Sequence, residues 1–333
     1  MNKRLVYNQE DSAKVFLWVL LLPQLVSLLF ACIFASIYET QEQMQQSIFY
    51  VVVACTLAQA CFAFVLFYYN KKHNISIKVA TNFNFKVSLK NGILCALISI
   101  IAVFGFVNLV GVFDQLFAWL GISSTSVNVP NNTFGWFLFN VVFLAIIPAI
   151  LEEFIFRGIV FNGLKKRGVW FASLISALMF AMVHLSISQF VYPIIMGVVF
   201  ALVFNKTGSL IYSIIVHLCN NFIVVLISYI SNFTGRPLAE LNTSSALGIV
   251  LSVIIAVVAS VLIWLIVKFA LKPTKSENSN IVNVEHNVVE IEHENEQNKL
   301  ITPNQNRQNI YTTVALVSGA VLWLIVVIGG LVG

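Results

Sequence analysis

Long apolar runs broken by short polar segments make up most of this chain. A run of about 20 apolar residues is long enough to cross a bilayer as a helix. Nine such runs predict nine spans: 15–38, 48–69, 91–113, 134–158, 168–185, 187–204, 209–230, 246–267 and 311–331. One long stretch departs from the pattern. Residues 272–309, KPTKSENSNIVNVEHNVVEIEHENEQNKLITPNQNRQN, are rich in Asn, Glu and Lys and read as a flexible polar linker. His286 and His293 lie there among glutamates, and a solvated linker accounts for them better than a metal site does.

The fold class expected is therefore all-α, a polytopic transmembrane helical bundle of about nine spans. Composition agrees: 59% of residues are hydrophobic and 10% charged, against about 25% charged in an ordinary soluble domain. Charge then orients the bundle. With the N-terminus in the cytoplasm, 17 of the 19 Lys and Arg residues fall in or beside cytoplasmic segments, Arg236 falls outside, and Arg157 lies within a span. Basic residues favour the cytoplasmic side of short loops. The net charge of +5 thus reads as topology and does not call for a nucleic-acid partner. The first run is too long for a signal-peptide core and follows Glu10 and Asp11, so it reads as a retained helix. All five cysteines lie in predicted spans without a CxxC pair, and they read as small apolar residues.

The expected organisation is N-terminal transmembrane helices over 1–133, a polar-bearing core over 134–230, a further helix within 231–271, the polar cytoplasmic linker 272–310 and a C-terminal helix within 311–333. The last helix carries no charge, and Gly319, Ala320, Gly329 and Gly330 are small enough to let it pack closely.

Within the core, IPAILEEFIFRGIVF puts Glu152, Glu153 and Arg157 into an apolar run. Each intramembrane charge costs on the order of 2.5–3.5 kcal/mol on insertion scales. Residues four apart share a helix face, so Glu153 and Arg157 can pair. Arg157 could also snorkel to the cytoplasmic interface. Glu152 points elsewhere and needs a partner from another helix, or a proton. Pro148 lacks an amide donor and can kink the helix just ahead of the pair. Two further polar sites follow on later helices. FAMVH places Phe180 one turn before His184, and HLCNN places His217 and Asn221 on one face. If a bundle gathers them, a carboxylate and an imidazole can hold and deprotonate a water. A second imidazole and an amide can then steady a developing oxyanion. Neither GxSxG nor HExxH occurs.

These three motifs, EExxxR, FxxxH and HxxxN in that order, resemble those of the CPBP family, also called the Abi or CAAX-protease-like family of intramembrane endopeptidases. The resemblance covers about 134–230 and includes FRG after the glutamates and TGSLIYSIIVH before the third motif. It implies an all-α core of about eight spans, here with an appended ninth, and a polar cavity open to the cytosol. By the same resemblance Glu152 activates water, His184 helps hold it, and His217 with Asn221 stabilises the oxyanion. Glu153 and Arg157 are supporting residues, with Phe180 from the second motif beside them. The substrate implied is a membrane-associated peptide or protein, taken at the cytoplasmic side or within the bilayer. The roles implied are peptide maturation, bacteriocin self-immunity or signalling in a bacterial cell membrane.

Two imidazoles and a carboxylate are also a zinc donor set, and Glu152, His184 and His217 would be its ligands. Asn221 is a poor zinc ligand and a good oxyanion donor, so a glutamate-dependent hydrolase needing no cofactor is preferred to a metalloprotease. A non-catalytic scaffold binding a partner protein through the same cavity is the alternative of another class. Depth poses a further condition. At 1.5 Å per residue, His217 lies roughly 10–12 Å into its helix and His184 roughly 22–24 Å along its own. For the two to meet, the 168–185 helix must tilt strongly, or 159–168 must re-enter the membrane.

Overall fold

The computed structural model describes residues 7–274 and 303–332, apart from 39, 41, 42, 45, 46, 74–76, 84, 123–128, 188, 235–242 and 244. His286 and His293, most of the linker and Arg236 lie outside the described residues. Among the described residues every regular element is helical. In chain order they are α1 (Gln9–Ala35), α2 (Ile48–His73), the short α3 (Ile77–Thr81), α4 (Leu89–Trp119), α5 (Phe134–Arg167), α6 (Val169–Met182), α7 (Val191–Thr207), α8 (Leu210–Thr234), α9 (Ala246–Ala270) and α10 (Pro303–Val332). Six of them, α1, α2, α4, α5, α8 and α9, are long and apolar enough to cross a membrane. The protein is an integral multi-pass helical bundle.

Local chemistry sets several helix ends. The Asn8 side chain accepts from the Asp11 amide while Asp11 accepts from the Asn8 amide, a reciprocal cap at the start of α1. Thr133 and Ser245 cap α5 and α9 in the same position. Gly168 and Gly208, with φ of 102° and 67°, make the tight turns between α5 and α6 and between α7 and α8.

The helices from α5 to α8 form the centre. α8 packs on α4 and on the first half of α5, α6 packs on α7 and on the second half of α5, and α9 packs on α4. α1 bridges α2, α5 and α10. The C-terminal α10 lies directly against α1, where a Cβ on Gly319 would come within 2.8 Å of the Phe16 ring. The Trp323 and Phe190 rings also meet at a tilt, with centroids 4.5 Å apart. The surroundings of Gly329 and Gly330 lie outside the described residues.

Three expected span boundaries are revised. The run expected to end at 158 continues without a break to Arg167. The 168–185 and 187–204 spans are helices of 14 and 17 residues, the first shorter than a bilayer crossing needs and the second at the lower end of that range. Re-entry over 159–168 does not occur, because those residues continue α5. The depth condition is met by hairpin length instead. Glu152 and His184 are each sixteen residues from Gly168, so an antiparallel α5–α6 hairpin sets them level. Asn162 Nδ2 donates to Ala80 O at 3.2 Å, and nearby Asn82 Nδ2 donates to Gly208 O at 3.1 Å. The α7–α8 turn therefore sits near the level of Asn162, six residues short of Gly168, and the α5–α6 hairpin projects about 9 Å further.

One close approach fixes α1 on α5. A Cβ on Gly163 would run into Ser12 Oγ and the Asn8 carbonyl oxygen, and Ser12 Oγ donates to Val160 O at 3.0 Å. Since backbone cannot move aside cheaply, Gly163→Val is expected to destabilise the protein by about 1–3 kcal/mol. Thermal melting in detergent reads this, and an unchanged melting point would remove Gly163 as a packing contact.

Candidate active site

α5 is not a uniform α-helix. π-helical turns at Val141–Ile146 and Phe154–Phe161 flank the α-helical Ile147–Glu153. Such turns are rare and recur at functional sites. Pro148 does not break α5. It withholds the amide that an α-helix would direct at Leu144 O, and Asn221 Nδ2 from α8 donates to that carbonyl at 3.1 Å.

Glu153 and Arg157 pair as their spacing predicts, with Arg157 Nη1 at 2.8 Å from Glu153 Oε1 and both side chains fully buried. Arg157 does not snorkel. Its guanidinium lies between the Phe180 and Phe200 rings, 4.7 and 4.9 Å from their centroids, and Nη2 donates to Gly197 O at 3.0 Å. A Cβ on Gly197 would come within 2.7 Å of the Ala177 Cβ, so glycine lets α7 press onto α6 where this bond is made.

Glu153 has a second task that its spacing did not reveal. Its Oε1 also accepts from His217 Nδ1 at 2.9 Å, and its Oε2 accepts from Ser213 Oγ. Ser213 sits one turn before His217 on α8, a spacing visible in the sequence but unremarkable without the facing carboxylate. An Nδ1–H donated to Glu153 leaves His217 Nε2 as the free ring nitrogen. That nitrogen lies 3.7 Å from Glu152 Oε2. The consecutive glutamates thus straddle one imidazole. Glu153 is closed off from solvent, while the Glu152 side chain keeps 12% exposure. Phe200 stacks on His217 at 4.6 Å, and Phe180 meets it edge-on at 5.8 Å.

His184 is held in the same sense. It lies in the turn after α6, followed by Leu185 at φ 49°, where the chain leaves helical geometry. His184 Nδ1 is 3.0 Å from Phe180 O, and donation to that carbonyl leaves Nε2 free. The Phe180 ring packs edge-on against His184 at 5.1 Å, as the one-turn spacing suggests.

Glu152, His184, His217 and Asn221 line one cavity of about 570 Å³, together with Phe180, Asn220 and Tyr192. Tyr192 belongs to no motif, and Asn220 occupies a variable position of HxxxN. Tyr192 Oη donates to Asn220 Oδ1 at 2.5 Å, and Asn220 Nδ2 donates to Asn221 Oδ1 at 3.1 Å. This chain fixes which end of the Asn221 amide is nitrogen. One of its N–H groups is spent on Leu144 O and the other is available. Both histidines donate Nδ1–H to a carboxylate or carbonyl, a pattern common around zinc. Even so, no group of three His, Cys, Asp or Glu among the described residues is close enough to hold a metal ion.

A profile of the type II CAAX prenyl endopeptidase Rce1-like family matches residues 134–223, the stretch that supplies all of these residues. This segment is similar to that family's core. A curated protein of Bacillus subtilis (strain 168), named "Putative membrane peptidase YdiL", is similar to it, 36% identical over 87 residues. That alignment spans 26% of this chain and 36% of the relative. No solved structure matches the chain. The matched segment covers α5 to α7 and the first part of α8, while α1, α2, α4, α9 and α10 lie outside it.

Proposed function

We propose that the protein is an intramembrane endopeptidase that hydrolyses a peptide bond with a glutamate-activated water. The observation that carries this is the placement of Glu152, His184, His217 and Asn221 around one cavity. For the two histidines and Asn221, a second polar atom is already fixed by protein. Glu152 takes a proton from water while His184 Nε2 accepts the water's other hydrogen. The resulting hydroxide adds to the carbonyl carbon. The oxyanion formed is met by the remaining Asn221 N–H and by His217, whose Nε2 takes the proton from Glu152 and whose protonated ring Glu153 stabilises. Transfer of the proton to the amide nitrogen releases an amine and a carboxylate. The substrate is a membrane-associated peptide or protein reaching the cavity from the cytoplasmic side or from the bilayer. The N-terminus is cytoplasmic, and the membrane is a bacterial cell membrane.

Comparative peptidomics of wild type against Glu152→Ala tests the reading. Uncleaved precursors are expected to accumulate in the variant. Identical peptide profiles at equal protein levels would leave only the scaffold role. A second measurement addresses cofactor need. Activity of purified protein is expected to survive exhaustive chelation, and stoichiometric zinc lost together with activity would assign Glu152, His184 and His217 as its ligands.

A further inference from the structure

The cavity wall contains one amide that the CPBP core does not supply. Gln59 lies midway along α2, in an otherwise apolar part of that helix, and lines the cavity with Glu152 and His217. Its Oε1 is buried and has no hydrogen-bond partner among the described residues. Asn220 and Asn221, which line the same cavity, differ, because each is paired within the protein. A buried, unpaired carbonyl is destabilising; the oxygen is closed to solvent as the side chain stands, and a turn of the amide would present it to a group in the cavity that Gln59 lines.

The depth of Gln59 matches the reaction centre. Tyr69 of α2 donates to Asp11 at 2.5 Å, and the adjacent Ser12 donates to Val160 of α5 at 3.0 Å. Tyr69 and Val160 are therefore level. Gln59 is ten residues back from Tyr69, and Glu152 eight back from Val160. At a rise of about 1.5 Å per residue in an α-helix, and somewhat less through the π-helical turns of α5, the two positions differ in depth by roughly 3–5 Å, on the order of one residue of an extended chain.

We propose that Gln59 is a substrate-positioning residue that binds the backbone of an extended peptide beside the scissile bond. A primary amide presents one acceptor and a donor in a single plane. Those groups complement the N–H and C=O of an extended peptide segment, as a neighbouring strand would. Recognition of this kind reads backbone and not side chains, so the substrate class is an extended segment of tolerant sequence. The proposal rests on the peptidase reading for its scissile bond but not for binding itself.

The test uses full-length protein carrying Glu152→Gln in lipid nanodiscs. The probe is a fluorescent decapeptide of alternating Leu and Ala, with analogues that each replace one backbone amide by an ester. With Gln59 present, one ester position is expected to weaken binding about fivefold. Gln59→Leu is expected to weaken the parent peptide roughly tenfold and to flatten the ester scan. The same substitution is expected to leave the melting temperature unchanged or raised, because an apolar side chain replaces an unpaired amide. Equal binding by both proteins, no binding by either, or a sharp fall in melting temperature overturns the proposal. Cleavage and binding fail separately. Precursors that accumulate in Glu152→Ala while Gln59→Leu binds normally remove only the role of Gln59. Gln59-dependent binding without precursor accumulation removes only the hydrolysis.

Discussion

Glu152→Gln is expected to lower peptide processing by about 10²–10⁴-fold while the protein folds and accumulates normally. The substitution keeps the shape of the side chain and removes its capacity to take a proton. Stability should be spared because Glu152 faces the cavity and, among the described residues, makes no hydrogen bond, its approach to His217 being 3.7 Å. The adjacent Glu153→Gln should not behave this way, since Glu153 is enclosed by Arg157, His217 and Ser213. Accumulation of uncleaved precursors, quantified against a membrane-level control, separates the two. Processing by Glu152→Gln within threefold of wild type would exclude Glu152 as the base.

The second large effect concerns the buried ion pair. Glu153→Ala leaves the Arg157 cation in a fully buried site without its carboxylate, and it also strips His217 Nδ1 and Ser213 Oγ of their acceptor. Breaking a buried pair in this way costs about 3–5 kcal/mol, a large share of the stability of most proteins. Glu153→Ala and Arg157→Met are each expected to melt far below wild type or to be degraded. The double variant Glu153→Met/Arg157→Met is expected to recover much of that loss, because no charge is then left uncompensated. It should remain inactive, because His217 has no carboxylate to orient it and to stabilise its protonated form. Size-exclusion profiles and melting curves in detergent provide the check. Single variants as stable as wild type would mean that the pair is not held in a low-dielectric site.

Helical phase explains what could be read before any coordinates. Glu153 and Arg157 sit four residues apart, so their pairing is a local property of one helix. The same holds for Phe180 over His184, and for the reading of the long apolar runs as helices. The reach of α5 to Arg167 and the short α6 and α7 were not legible, because hydropathy does not distinguish a helix that spans the bilayer from one packed inside the bundle. Arg157 was open to two fates by sequence. Only the placement of Phe180 and Phe200 on either side of its guanidinium decided for burial.

The same division runs through the candidate site. Sequence determined its inventory: one carboxylate beyond the ion pair, two imidazoles and an amide, on helices that must share a membrane. Tertiary structure decided what each atom faces. His217 takes its Nδ1 partner from Glu153, sixty-four residues away, and Asn221 takes Leu144 O, seventy-seven residues away, a carbonyl that Pro148 leaves without its usual donor. Gln59 was invisible among the residues of an apolar helix until α2 brought it to the cavity wall. Local spacing fixes which side chains share a helix face, because the backbone is periodic. Which free nitrogen or oxygen points at a substrate depends on contacts between helices, and no period in the sequence encodes those.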